Sequence, residues 1–443
     1  MSSILERIRL GKVRLAVLGL GHVGLPTALA FARAGFKVKA IDVDVSKVRA
    51  LNKGICYIRE PGLQEILVAC LKNGNFEATS EMLDPIRTSD FVSICVPTPV
   101  ENGVPDLKYF EAAFTAVKAG AHEGMVILIE STLPPSTTSK LVAPGLERLG
   151  YKVDEDIFLA YCPERLSPVK ALQELHNNAR IVGGVGPKSR QVTAEFFRKV
   201  CKEVLVTDAL TAEITKVAEN TFRDVNIAYA NLVALIAERF GADANETIRL
   251  ANTHPRVRIH APGLGVGGPC LPKDPLMLIH GMPQDIGQLV KFARQLNENM
   301  TMHAIDVVAR TLASDGVDIG HAKVAVLGVS YKPESEDVTN SPARPLVEEL
   351  LRRGASVVAY DPYTEETYGA KRAPSIDYAL RDSDCVIIVT AHPIFKSLDP
   401  CRIVQLTKKK CVIFDGPRAL DPTKLRSAGL TYLGTGYGVL GSP

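Results

Sequence analysis

Short β-branched runs alternate with helical stretches through the first 207 residues. Residues 13–19 (VRLAVLG) predict a strand, LPTALAFARAG a helix, and Phe36–Ile41 a second strand. Further strand-like runs follow at Phe91–Val96, Val126–Ile129, Ile157–Ala160 and Val204–Thr207, several of them separated by helical stretches. That alternation predicts an α/β domain built on a doubly wound parallel sheet. The pattern changes near residue 208. Apolar residues recur at helical spacing from Ala209 to Phe240 with no internal Gly or Pro, and Gly241 supplies a C-cap. Such a stretch makes a helix roughly 45 Å long, more than one small domain needs. It predicts a connector between domains that also offers a dimerisation face. Residues 252–275, with four Gly and five Pro, read as a long structured loop of the kind that carries function. A helical pattern returns over 285–314.

The opening theme then repeats. Lys323–Gly328 (KVAVLG) echoes Arg14–Gly19 (RLAVLG), Ala359-Tyr360-Asp361 echoes Ala40-Ile41-Asp42, and Ser383–Thr390 echoes Ser89–Val96. Two Rossmann-like doubly wound units are therefore expected to flank a central helical region. The expected boundaries are 1–207, 208–314 and 315–443.

Composition narrows the class. A chain of 443 residues, 46% hydrophobic and 23% charged, has the mix of a globular protein of two or three domains. The net charge of +3, from 52 basic and 49 acidic residues, argues against a nucleic-acid partner. The nine Cys show no CxxC spacing, which argues against zinc ribbons and leaves no metal expected. Their odd number suggests a reducing compartment, the cytoplasm. No signal-peptide core and no run of 18 apolar residues is present, so no membrane is expected.

The candidate chemistry begins at Gly19-Leu20-Gly21-His22-Val23-Gly24, which lies between a strand and a helix, with Asp42 ending the next strand. Glycines there let the backbone approach a pyrophosphate, and the helix N-terminus supplies N–H groups. An acid at Asp42 accepts from ribose hydroxyls and disfavours a 2′-phosphate, so NAD is expected rather than NADP. In the second unit Gly328-Val329-Ser330-Tyr331-Lys332-Pro333 stands where these glycines would be, and a different ligand is expected. Cys270, in Gly267-Gly268-Pro269-Cys270-Leu271-Pro272-Lys273-Asp274, sits in accessible backbone, and Lys273 can favour a thiolate. A nucleophilic Cys beside NAD suggests oxidation past the aldehyde, through a thiohemiacetal and a thioester. Lys216 and Asn220 are spaced i, i+4 on the long helix and suit a developing oxyanion; Arg223 continues their face. Glu164, after a strand-like run, suits a general base. Glu130-Ser131-Thr132 and Val96-Pro97-Thr98-Pro99 lie at comparable strand ends.

Taken together, the chain resembles the UDP-glucose/GDP-mannose dehydrogenase family. The resemblance rests on GLGHVG (19–24), VPTP (96–99), ESTLPP (130–135), PER (163–165), TKVAENTF (215–222), GVGGPCLPKD (265–274), GVSYKP (328–333) and YDP (360–362). It implies two successive NAD-dependent oxidations at C6 of a UDP-sugar. By position it implies Cys270 as nucleophile, and Lys216, Asn220 and Asp274 as oxyanion and water-ordering groups. Glu164 becomes the acid/base, and Thr132 the holder of a catalytic water. Cofactor contacts are implied at Gly19, Gly21, His22, Val23, Gly24, Asp42, Pro97, Thr98, Ser131 and Thr132. Substrate contacts are implied at Glu164, Arg165, Lys216, Asn220, Arg223, His254, Arg256, Gly267, Tyr331 and Lys332. Phe222-Arg223-Asp224-Val225-Asn226, Cys162-Pro163-Glu164-Arg165 and His254-Pro255-Arg256-Val257 resemble the UDP-N-acetylhexosamine branch, which includes UDP-N-acetylmannosamine dehydrogenases. There His254 and Arg256 would serve the sugar nucleotide of a partner subunit, which implies a homodimer or larger homo-oligomer. Pro269 and Lys273 depart from that branch, and Lys273 resembles the UDP-glucose enzymes. Thr339 stands where the family's Asp-x-Arg-x-Ser-Pro motif has Arg, with Arg344 as a candidate substitute. UDP-glucose is the rival substrate. A catalytically silent nucleotide-binding scaffold is the rival class, and intact Cys270, Lys216, Asn220 and Glu164 argue against it.

Overall fold

Apart from the edge strand at Val204–Asp208, whose Leu205 and Val206 are exposed, the aliphatic runs form strands buried on both faces, as parallel sheets covered by helices require. The structure is a computed structural model that describes residues 2–166 and 170–438. It divides into two compact units, Met1–Glu219 with Leu276–His280, and Asn220–Pro275 with Gly281–Pro443.

The first unit contains β1 (Arg14–Leu18), β2 (Lys37–Ile41), β3 (Phe76–Thr79), β4 (Phe91–Ile94), β5 (Val100–Glu101), β6 (Val104–Pro105), β7 (Val126–Ile129), β8 (Phe158–Tyr161), β9 (Arg180–Gly184) and β10 (Val204–Asp208). β5 and β6 make a small hairpin, and the others form one sheet in the order β3-β2-β1-β4-β7-β8-β9-β10. Phe31, Phe36, Phe91, Phe196 and Phe197 interlock in its core, with Phe31 stacked on Phe196 at 4.1 Å between centroids.

The parallel arrangement expected from the sequence holds through β8 and then reverses. β9 pairs antiparallel with β8, and β10 follows β9 in parallel. The reversal carries Arg180, the first residue of β9, to the edge of the sheet where β7 ends. There its guanidinium pairs with Glu130 and donates to the Cys162 carbonyl at 2.7 Å. Ser93 Oγ donates to the same carboxylate at 2.5 Å. Both ions are almost wholly buried.

The second unit contains β11 (Lys323–Leu327), β12 (Ser356–Tyr360), β13 (Lys371–Arg372), β14 (Cys385–Ile388), β15 (Val412–Asp415) and β16 (Thr431–Gly434). Its sheet is parallel throughout, in the order β13-β12-β11-β14-β15-β16. This repeats the order β3-β2-β1-β4-β7-β8, so the echoed motifs fall on equivalent strands. The long helix spans Ala209–Phe240, and Gly241 ends it at φ 72°. A second long helix runs from Gln288 to Ser314. Among the described residues no helix is long and apolar enough to cross a membrane, and no cluster of His, Cys, Asp and Glu could hold a metal ion.

Removing one member of a buried ion pair leaves an uncompensated charge. Arg180→Met is expected to destabilise the protein by about 3–5 kcal/mol, read as a lowered urea midpoint. Adding Glu130→Gln removes the stranded carboxylate and should recover a large part of the loss.

Candidate active site

Each glycine of the first turn has its own geometric reason. Gly19 adopts φ 91°, and a Cβ there would sit 2.5 Å from the Cys95 carbonyl oxygen. A Cβ on Gly24 would lie 1.9 Å from the Gly19 oxygen, so helix Gly24–Arg33 packs on the turn only without one. A Cβ on Gly21 would meet nothing within 4 Å, which leaves the open approach that a pyrophosphate needs. His22 is exposed and Val23 half-buried beside it. Asp42 follows β2, and its carboxylate accepts from Leu20 N at 2.9 Å and Asp44 N at 2.9 Å. The acid is thereby fixed against the glycine turn. The next two strand ends adjoin it in the sheet. Thr98 Oγ1 donates to the Thr132 carbonyl at 2.7 Å, and Ser131 Oγ to the Val96 carbonyl at 2.8 Å. Pro97 is exposed between them.

Still in the first unit, Lys216 Nζ donates to Glu164 Oε1 at 2.7 Å and to the Glu164 carbonyl at 2.8 Å. Leu166 N donates to Glu164 Oε2 at 3.0 Å. Burial by itself would raise the Glu164 carboxyl, but the Lys216 ammonium and the hydrogen bonds bring it below its ordinary value. Arg165, next in the motif, is bound by Glu219 at 2.8 Å and by the Ala179 carbonyl at 3.0 Å.

The second unit holds the Cys270 loop. Asn231 Oδ1 accepts from Gly263 N at 2.9 Å. Gly268 N donates to the Thr339 carbonyl at 2.8 Å, and Asn340 Nδ2 to the Gly268 carbonyl at 3.1 Å. A Cβ on Gly267 would come 2.6 Å from Tyr331 Cβ, and one on Gly268 would come 2.8 Å from the Tyr331 ring. The loop thus rests on the second unit's turn, with Lys332 Nζ 5.7 Å from the Tyr331 ring centroid. Burial, Asp337 and Cys270 push Tyr331 up to about 12 against the pull of Arg223, so its hydroxyl remains a donor. The Cys270 carbonyl accepts from Lys273 N at 3.0 Å and Asp274 N at 2.8 Å. Asp274 is fully buried and accepts from Asn220 Nδ2 at 2.6 Å. The Lys273 ammonium lies 3.8 Å from the same carboxylate. Thr339 serves the loop through its backbone, which any residue can do, while Arg344 is held by Glu348 at 2.9 Å on its own helix.

Arg223, His254 and Arg256 are exposed. Asn226 connects their two motifs: its side chain accepts from His260 N at 2.8 Å and donates to the Arg258 carbonyl at 2.8 Å.

The comparisons with known proteins fit this geometry. Residues 13–201 match the NAD-binding domain of the UDP-glucose/GDP-mannose dehydrogenase family, 210–300 its central domain and 325–422 its UDP-binding domain. The chain belongs to that family. A UDP-N-acetyl-D-mannosamine dehydrogenase of Pyrococcus horikoshii is 39% identical, covering 96% of this chain and all of the relative. The solved structure of that organism's enzyme superposes with a TM-score of 0.90. An NDP-N-acetyl-D-galactosaminuronic acid dehydrogenase of Methanosarcina mazei Go1 is 30% identical with a TM-score of 0.87, over 99% of each chain. A UDP-glucose dehydrogenase of Pyrobaculum islandicum is 30% identical with a TM-score of 0.85, over 96% of this chain and 98% of the other. The protein is accordingly an NAD-dependent nucleotide-sugar dehydrogenase.

As a member of this family the chain adapts its second Rossmann turn to another ligand. Asp361, the counterpart of Asp42, is closed off: it accepts from Val329 N, Ser330 N and Tyr363 N, and His392 Nε2 lies 3.0 Å away. Nothing of that carboxylate is left for a ribose. Sequence reasoning did not find the amides of Asn226 and Asn231, nor Glu213, whose buried carboxylate accepts from Ser136 and Thr138. Their only signal is a polar residue amid apolar neighbours on a helix.

The Glu164–Lys216 pair makes a signed prediction. A carboxyl lowered in the folded state contributes stability that is present above its unfolded value and lost as pH falls through the folded one. Lys216→Met leaves burial as the dominant influence and raises Glu164 instead, so protonation then favours the folded state. The gap in Tm between wild type and variant should therefore narrow as pH falls from about 6 to about 4, measured by thermal melts across that range.

Proposed function

We propose that this enzyme oxidises a UDP-N-acetylhexosamine, UDP-N-acetyl-D-mannosamine first among them, at C6 to the uronic acid. The observation that carries the reading is Cys270 on a pinned, close-packed loop, with buried Asp274 and Asn220 joined beside it. The Gly19–Gly24 turn, Asp42, Pro97, Thr98, Ser131 and Thr132 would hold NAD, which would supply the hydride acceptor for each of two oxidations. Glu164 takes a proton, and Lys216 and Asn220 steady the negative oxygen at C6. The Cys270 thiolate adds to the resulting aldehyde, and a proton completes the thiohemiacetal. Loss of the second hydride and a proton gives the thioester. Water, ordered by Thr132 and Asp274, then hydrolyses it to the carboxylate and frees the thiol. The net change consumes one water and two NAD and yields two NADH. Cys270→Ser is expected to abolish nearly all turnover, and the wild type to form two NADH per sugar by absorbance at 340 nm. Near wild-type turnover by the variant would remove Cys270 from the mechanism.

The choice of sugar is supported by the P. horikoshii relative and by Arg223 and Arg256. Their planar donors suit an amide carbonyl or a phosphate. A site built around an acetamido group penalises its loss. UDP-N-acetylmannosamine or UDP-N-acetylglucosamine should exceed UDP-glucose in kcat/KM by roughly 100-fold, or about 2.7 kcal/mol. UDP-glucose is the second reading, favoured by Lys273 and by the P. islandicum relative. A substrate panel with NAD decides between them.

We further infer a homodimer. Phe222, Tyr229, Ile236 and Phe240 of the long helix are exposed at near-heptad spacing, and His254 and Arg256 are exposed where they could complete a partner's site. Mixing Cys270→Ser with Arg256→Ala chains should restore activity through hybrid dimers, whereas an active monomer by sedimentation would reject the assembly. A uronic acid product suits polysaccharide synthesis, and the odd number of cysteines suits the cytoplasm.

A further inference from the structure

Glu213 is a fully buried carboxylate that the reaction above does not use. It lies on the long helix one turn before Lys216. Its Oε2 accepts from Ser136 N at 2.6 Å, and its Oε1 accepts from Thr138 N at 2.8 Å and Thr138 Oγ1 at 2.6 Å. Burial holds its carboxyl above the ordinary value, against the opposing pull of these three donors. Ser136 has φ 71°, a left-handed conformation that a serine holds only under constraint. A π-helical turn, Thr138–Val142, follows at once. Such turns recur at functional sites.

The segment 130–138 is thus tied down at both ends. At one end Ser131 and Thr132 bond to the loop after β4. At the other end the anchor is Glu213. The same stretch of helix holds Glu164 through Lys216. We propose that Glu213 is a positioning residue, whose buried carboxylate sets the Ser131–Thr132 loop in a fixed relation to the Lys216–Glu164 pair. The proposal rests on the assignment of Ser131 and Thr132 to the cofactor and water. Ionised oxygens are required on both sides, because an amide turns one acceptor into a donor. In Glu213→Gln the oxygen can still serve Thr138, but the amide NH2 then opposes Ser136 N–H, and the strained serine is released.

The test compares Glu213→Gln and Thr138→Val with wild type by NADH binding, steady-state kinetics and melting temperature. NADH fluorescence gives the affinity of the binary complex. Glu213→Gln is expected to weaken NADH about tenfold, equivalent to 1.4 kcal/mol, to raise KM for NAD and to lower kcat, with KM for the UDP-sugar unchanged. Thr138→Val keeps the carboxylate and both backbone donors, so it should move the same quantities less. It also keeps the test open if Glu213→Gln does not accumulate as folded protein. A lowered Tm with unchanged NADH affinity and kcat would mean a purely structural role and overturn the proposal. Equal rises in both KM values would overturn it as well. Failure of the underlying assignment is separately visible: Ser131→Ala and Thr132→Ala would then bind NADH and turn over as wild type. If those two variants are impaired while Glu213→Gln is not, only the positioning role falls.

Discussion

A polar group buried away from water must find a partner, and the helix Ala209–Phe240 buries a series of them. Glu213 is met by Ser136 and Thr138, and Lys216 by Glu164. Asn220 is met by Asp274, and Asp224 by Arg294 and Asn297. Asn231 is met by Asn297 and Gly263 N, and Glu238 by Gly436 N and His303. Ser136, Glu164, Gly263 and Gly436 lie in loops, which have little regular structure to fix them, whereas Arg294, Asn297 and His303 lie on the helix Gln288–Ser314. An α-helix advances 1.5 Å per residue and is stiff, so within each unit a loop inherits its position from the helix residue that binds it. Apolar packing alone would tolerate a slipped loop. A stranded carboxylate or amide costs on the order of 1–3 kcal/mol, which makes the register specific.

The two sheets share a strand order but diverge in what their first turns can hold. In the first unit Asp42 accepts two backbone N–H bonds and remains half-buried, with acceptor capacity left over. In the second, Asp361 is fully buried under His392 and three backbone donors, which hold its carboxyl down at about 2. His392 Nδ1 in turn accepts from Glu334 N at 3.1 Å. Gly328 persists, because a Cβ there would strike Thr390 at 2.7 Å. The other two glycines are gone, and the turn presents Tyr331 and Lys332 instead. The second unit keeps the scaffold of the first, and a few side chains at the strand ends suit it to a UDP moiety rather than a dinucleotide.

Features that were legible in the sequence depend on local rules. The glycine turn follows from φ and close approach. The long helix ends at Gly241 as its pattern predicts, and the repeat is visible because equivalent strands kept their residues. Features that were not legible depend on pairs distant in sequence. The reversal at β9 accompanies Arg180 meeting Glu130, 50 residues away, and nothing in RIVGG distinguishes the two directions. Glu213 stands beside Ala212 and Ile214 in a helix with many charges, and its partners lie 75 and 77 residues away in the chain. Asn231 reads as an ordinary helix residue, and Asn226 only as one member of a family motif, until the segments they bind are in place.

The glycines around Cys270 might be taken for flexibility, yet their surroundings require the opposite. Gly267 and Gly268 have no room for a Cβ against Tyr331 and the Asn340 carbonyl. Gly268 is bonded through both its N–H and its C=O, and Gly263 is held at the loop's start. Glycine is needed here for close approach, and its entropic cost is met by those bonds. Two residues beyond Gly268 the chain presents Cys270, whose carbonyl caps the turn into Asp274. Because Tyr331 belongs to the turn after β11, contact between Gly268 and its ring couples the position of Cys270 to that turn. A backbone held in this way is already in place before substrate arrives, which is what the role of nucleophile proposed for Cys270 calls for.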